Sequence, residues 1–226
     1  GAVGYLNMNG EELYFLGYEF KAHEGIQSPY YSKGKKYIGG LIGYVLGENK
    51  SDSYLSISNV KIAANVISPQ ESEDYGYVGG LYGYITNVEA RIISSTVGTG
   101  SVEISGPFKV GGLIGEISSS NLYSDNTFDM SGSSPKIPSK SSFYHNFYGD
   151  VRPYNQCAAR YIGGAIGNMV DSEVSGIHVQ ANVTGGGNYT GGVVGFISHS
   201  NDYKLKNCTF SGIVRGRSYA GGVVGE

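Results

Sequence analysis

The chain has 226 residues with a net charge of −3, and 37 of them are glycine, a share of about one in six against an ordinary one in fourteen. That balance excludes an electrostatic footprint for nucleic acid, two cysteines exclude a disulfide-dense scaffold, and no apolar run is long enough for a transmembrane helix. The glycines do not fall at every third position, which excludes collagen.

Read from the amino end, the chain opens on Gly1-Ala-Val-Gly-Tyr5, the tail of a block that then recurs six times. The copies are Tyr37-Ile-Gly-Gly-Leu-Ile-Gly-Tyr44, Tyr77-Val-Gly-Gly-Leu-Tyr-Gly-Tyr84 and Lys109-Val-Gly-Gly-Leu-Ile-Gly-Glu116. They continue as Tyr161-Ile-Gly-Gly-Ala-Ile-Gly-Asn168, Tyr189-Thr-Gly-Gly-Val-Val-Gly-Phe196 and Tyr219-Ala-Gly-Gly-Val-Val-Gly-Glu226. The second glycine of each pair sits at 40, 80, 112, 164, 192 and 222, so the two shortest steps are 28 and 30 residues. Residues 11–36 and 131–160 read as long insertions into that basic unit, and 11–23 is the one stretch with any helical pattern. Between the copies, strands are predicted where apolar residues alternate: Leu55/Ile57, Val60/Ile62, Ile177/Val179/Ala181/Val183 and Cys208/Phe210. Asn, Ser, Asp and Gly at 118–121, 185–188 and 198–202 predict turns.

Comparison of the copies separates inside from outside. Leu41, Leu81, Leu113, Ala165, Val193 and Val223 are all aliphatic, as are Val45, Ile85, Ile117, Met169 and Ile197 at the next apolar position, and both sets are expected in the core. Tyr44, Tyr84, Glu116, Asn168, Phe196 and Glu226 are mixed and are expected to face outward. Repeated glycine within strands predicts a bulge, a corner or close approach of neighbouring repeats, and the sequence leaves these three open. In a solenoid, equivalent residues stack at about 4.8 Å, so Tyr5, Tyr44 and Tyr84 form one expected ladder. Tyr37, Tyr77, Lys109, Tyr161, Tyr189 and Tyr219 form a second.

The Gly-Gly-Leu-Ile-Gly pattern, preceded by segments such as Asn207-Cys-Thr-Phe-Ser-Gly-Ile-Val-Arg-Gly-Arg-Ser-Tyr219, resembles the GLUG repeat. That resemblance implies a β-solenoid from a bacterial surface or secreted protein, adhesin-like or the non-catalytic region of an immunoglobulin A-specific metallopeptidase. It covers nearly the whole chain and bears on architecture more than on activity.

Enzymatic constellations are few. His23-Glu24 lacks the second histidine of a zinc-protease helix, and His145, His178 and His199 are scattered. No nucleophile elbow is present, and Cys157 and Cys208 read as separate thiols. Asp150 with Arg152, or the run Glu71-Ser-Glu73-Asp74, are the candidates for a polysaccharide-processing enzyme, with a solvated turn as the plainer reading of each. No cofactor or metal is expected. Four Asn-x-Ser/Thr sequons, at Asn49, Asn182, Asn188 and Asn207, match chance in so Asn-rich a chain. The candidate binding residues are aromatic: Tyr44 and Tyr84 on the ladder, and Tyr144, His145, Phe147, Tyr148, Arg152 and Tyr154 in the second insertion.

The expectation is therefore an all-β chain: a single β-solenoid, a right-handed β-helix of about six coils with two loop insertions, cut from a longer repeat protein. Its expected role is a non-enzymatic extracellular scaffold or adhesion segment on a bacterial surface, displaying aromatic loops for glycan or protein. Nucleic-acid binding and direct membrane insertion are not expected, and end-to-end self-association of separate chains is the less favoured alternative to coils that continue in one longer chain. A carbohydrate-active β-helix enzyme and a spacer in a large secreted metallopeptidase are the alternatives.

Overall fold

The computed structural model describes residues 2–17, 19–21, 31–33, 36–63, 65–68, 76–97, 103–124, 147–153, 160–198 and 204–226, with the backbone alone at 19–21, 31–33, 63, 96, 103 and 147–153. The described residues are all-β, without helix, and every strand pair is parallel. Parallel strands need long crossovers. Here each crossover is the rest of a repeat, because the chain visits four sheets in the same order before returning to the first.

The first sheet holds the Tyr-x-Gly end of each glycine block: Tyr37–Gly39, Tyr77–Gly79, Lys109–Gly111, Tyr161–Gly163, Tyr189–Gly191 and Tyr219–Gly221. The second holds the residues that follow: Val3–Asn7, Ile42–Leu46, Tyr82–Thr86, Ile114–Ser118, Ile166–Val170 and Val194–Ser198. The third stacks Glu12–Leu16, Tyr54–Ser58, Glu89–Ile93, Asn121–Ser124, Glu173–Ser175 and Lys204–Lys206. The fourth begins as split pairs of short strands, such as Lys61–Ala63 with Asn65–Ile67, and ends as the unbroken Phe147–Pro153, His178–Thr184 and Thr209–Arg215.

Register is set by equivalent residues. Val3, Ile42, Tyr82, Ile114, Ile166 and Val194 lie in one column, and Leu13, Leu55, Ala90, Leu122, Val174 and Leu205 in another. The inward columns build one core from Leu41, Leu81, Leu113, Ile57, Ile92, Ile104 and Val179, all essentially without solvent contact. Each such side chain contributes about 1.5–3 kcal/mol when removed from water. Ile197, by contrast, is only partly buried, and Val223, also expected in the core, is 45% exposed because no described repeat packs over it.

Corners are made by a left-handed residue. Asn59, Ser94, Gly176 and Asn207 follow the third-sheet strands with positive φ, and Asn87, Ser119 and Asp171 follow the second-sheet strands in the same way. Asn, Asp and Gly tolerate that region best. The residue after the corner is often a buried serine whose hydroxyl serves two repeats. Ser120 Oγ donates to Ser118 O at 2.7 Å and accepts from Val88 N at 3.1 Å, while its own N–H reaches Ser172 Oγ at 3.2 Å.

Three sequence expectations change. Residues 11–36, read as an insertion, supply Glu12–Leu16 to the third sheet and Glu19–Lys21 and Tyr31–Lys33 to the fourth. The helical pattern at 11–23 gives way to a strand because Leu13 and Phe15 pack on the core while Glu12, Tyr14 and Leu16 face out, a period of two. In the second insertion, Phe147–Pro153 is a strand between Glu103–Gly106 and His178–Thr184, whose edges satisfy its backbone on both sides.

Candidate functional site

The glycines decide where the tyrosines go. A Cβ on Gly39 would lie 2.0 Å from Ile42 O, and one on Gly83 would lie 2.5 Å from Ile38 N. Strands of the first sheet therefore press against those of the second, backbone to backbone, with no side chain between them. Between repeats the fit is as close: a Cβ on Gly80 would meet Gly112 O and Val97 Cγ1, each at 2.3 Å. None of these three glycines has a positive φ. Of the three readings open in the sequence, close approach at a tight corner is the one realised, and the glycine is required for space.

This approach brings the two expected ladders together on one flank. Tyr44 lies 5.2 Å from Tyr84 and 5.3 Å from Tyr5, centroid to centroid, and Tyr37 lies 5.1 Å from Tyr77. The columns also stack on each other, Tyr37 on Tyr44 at 4.8 Å and Tyr77 on Tyr84 at 5.4 Å. A second group holds Tyr161, Tyr189, Phe196 and Tyr219, with neighbouring centroids 4.8–5.6 Å apart. The result is a ribbon in which most ring faces meet other rings, with the Tyr84 hydroxyl also hydrogen-bonded to Ser118 and Thr86. Burial raises the pKa of the Tyr44 hydroxyl, helped by the neighbouring tyrosines, and burial with Glu116 does the same for Tyr84. These hydroxyls are neutral at physiological pH and can both donate and accept.

Between the two aromatic groups both columns change at once. Lys109 takes the tyrosine place in one column and Glu116 in the other, and their side chains form an ion pair. Asn168 donates to Glu116 Oε2 at 2.7 Å, and the Lys109 ammonium lies 4.7 Å from the Tyr77 ring centre. Glu116 and Asn168 were expected to face water, yet they are 7% and 5% exposed. They do project from the outer face of the second sheet, where Lys109 and the flanking rings cover them. The signal for this pair was present in the sequence, since the block from 109 to 116 departs from tyrosine at both ends.

The remaining candidates fall elsewhere. Phe147, Tyr148 and Arg152 lie on the fourth-sheet strand Phe147–Pro153 rather than on a loop, and Tyr144, His145 and Tyr154 lie outside the described residues. Asp150 shares that strand, in register with Glu103 and Asn182. Cys208 is a free thiol packed against the core, its pKa raised by burial, and Cys157 and 71–74 lie outside the described residues. His178 holds Thr209 Oγ1 at 2.7 Å on the next strand. Among the described residues no group of three or more His, Cys, Asp or Glu stands together as a metal site. No family model, curated protein or solved structure matches the chain.

Proposed function

We propose that the four stacked sheets form a β-solenoid of the GLUG-repeat kind, a right-handed β-helix serving as a non-enzymatic segment of an extracellular bacterial scaffold. Its adhesive surface is the tyrosine ribbon, which binds a partner along the solenoid flank. The observation that carries this reading is the pairing of two tyrosine columns into one rigid strip. Stacked rings have little rotamer freedom left to lose on binding, and tyrosine joins an apolar body to a polar edge. Because ring faces are spent on one another, the strip suits edge-on contact with a protein surface better than face-stacking with a sugar ring.

The test presents the immobilised chain with purified extracellular-matrix proteins and with a glycan array. Retention of a protein, weakened about tenfold or more by Tyr44→Ser with Tyr84→Ser, supports the reading, since tyrosine is enriched among interface hot spots and a loss of about 1.4 kcal/mol is tenfold in affinity. Undiminished retention by that variant overturns it. So does release of new reducing ends from a polysaccharide that Asp150→Ala or Arg152→Ala abolishes.

A further inference from the structure

The flank beside the ribbon, the outer face of the third sheet, carries a second feature. Glu12, Tyr54 and Glu89 occupy one column of that face, and Tyr14, Ser56 and Arg91 the next. Above them the corner between Leu46 and Tyr54 runs through seven residues, 47–53, where the equivalent corners at 87–88, 119–120 and 171–172 have two. This longer corner walls an open groove of about 300 Å³ lined by Glu12, Tyr14, Lys50, Tyr54, Glu89 and Arg91, with Ser51 and Ser53 on the wall.

The groove is organised by its own hydrogen bonds. Ser51 N donates to Asn49 Oδ1 at 2.8 Å, Ser53 N to Asn49 O at 3.1 Å, and Glu48 N to Ser53 Oγ at 3.1 Å, which holds the wall. On the floor, Tyr14 Oη donates to Glu12 Oε2 at 2.9 Å, and Arg91 donates from Nη2 and Nε to Glu89 Oε1 at 2.8 and 3.2 Å. Arg91 also lies over the Tyr54 ring, 5.1 Å from its centre. Both carboxylates are thus held in place through one oxygen. Among the described residues the other oxygen of each accepts no side-chain hydrogen bond.

A ligand class follows from this chemistry. Two carboxylates against one lysine and one arginine leave the lining without formal charge, which gives no advantage to an anion or a cation. Fixed carboxylate oxygens accept from adjacent hydroxyls, and the Lys50 ammonium supplies a donor, while the Ser51 hydroxyl is held by Asn49 and Asp52 in the wall. Tyr14 is 42% exposed beside Tyr54, at a centroid distance of 5.7 Å, and offers an apolar ring to C–H groups. We propose that this groove binds a neutral saccharide of one or two rings, with Tyr14 under the sugar and Glu12 and Glu89 accepting from its hydroxyls. This site is separate from the ribbon, and its occupation does not depend on the adhesive reading.

The experiment is saturation-transfer NMR on the whole chain with cellobiose, maltose, lactose and N,N′-diacetylchitobiose as probes, and with galacturonic acid as the charged comparison. At least one neutral disaccharide is expected to bind with a Kd of about 1 mM, the range of a single weakly stacked ring. Tyr14→Ala and Glu12→Gln are expected to weaken it about tenfold while melting like the parent, because both side chains are on the surface, and Tyr84→Ser is expected to leave it unchanged. Absence of transfer from all four sugars at roughly 10 mM overturns the proposal. Transfer that survives Tyr14→Ala together with Glu12→Gln overturns it as well, and so does tighter binding of galacturonic acid than of any neutral probe. Loss in Tyr84→Ser but not in Tyr14→Ala assigns the sugar to the ribbon instead and overturns the groove.

Discussion

Tyr82 occupies a column that other repeats fill with Ile42, Ile114, Ile166 and Val194, and it is fully buried. Its hydroxyl has no hydrogen-bond partner among the described residues. An unpaired buried hydroxyl costs about 1–3 kcal/mol, so Tyr82→Phe is expected to raise stability by up to that amount in thermal melts at pH 7. Burial also pushes its pKa far above that of a free phenol. The folded chain keeps this proton where the unfolded chain releases it, so stability is intact below about pH 10 and falls as pH rises past it. Melts at pH 10.5 are expected to show a smaller alkaline loss in Tyr82→Phe than in the parent. A Phe variant less stable at both pH values means that the hydroxyl is paired.

Gly80 makes the opposite case, a residue whose value is having no side chain. Gly80→Val places carbon against Gly112 O and Val97 and is expected to cost at least about 3 kcal/mol. Tyr84→Ala removes ring contacts worth about 1 kcal/mol each and is expected to cost less. Denaturant unfolding of the two variants checks the order, and equal midpoints would remove the steric account of the motif.

At the scale of the element, the pair Lys109 and Glu116 shows how one repeat departs from tyrosine without breaking the flank. Their side chains are 12% and 9% exposed, so losing one partner strands a buried charge at a cost of about 3–5 kcal/mol. Lys109→Ala and Glu116→Ala are each expected to destabilise strongly. The double variant Lys109→Tyr with Glu116→Tyr rebuilds both columns in register with Tyr77 and Tyr161 and with Tyr84 and Asn168. It is expected to lose less than either single variant. A double-mutant cycle that adds the Lys109→Tyr and Glu116→Tyr single variants measures the coupling, and simple additivity would mean that the two side chains do not act as a unit. Corner serines act at the same scale. Ser120→Ala leaves Val88 N without its acceptor and is expected to cost about 1–2 kcal/mol by denaturant unfolding.

Across the whole molecule, each repeat touches chiefly the ones before and after it, so stability is expected to vary along the stack. Leu113 is fully buried, and Leu113→Ala is expected to cost about 2–5 kcal/mol by denaturant unfolding. Hydrogen exchange is expected to be slowest in Tyr82–Thr86, Ile114–Ser118 and Ile166–Val170, and faster in the exposed corner at 48–52. Uniform protection from end to end would show that the stack unfolds as one unit.

The repeated glycine block, read by itself, determined the all-β class, the inward columns and the two tyrosine ladders. Each depends only on residue type at a fixed phase, and parallel stacking keeps equal phases adjacent. Tertiary structure decided what phase alone leaves open. That Tyr37 meets Tyr44, seven residues away, depends on how closely two sheets approach, and the distances around Gly39 and Gly83 set that approach. That 11–36 contributes strands depends on pairing with Tyr54–Ser58, Lys61–Ala63 and Asn65–Ile67, edges formed by residues far along the chain. The groove was illegible for the same reason: Glu12, Lys50 and Arg91 come from three successive repeats, and the stacking of those repeats places them around one space.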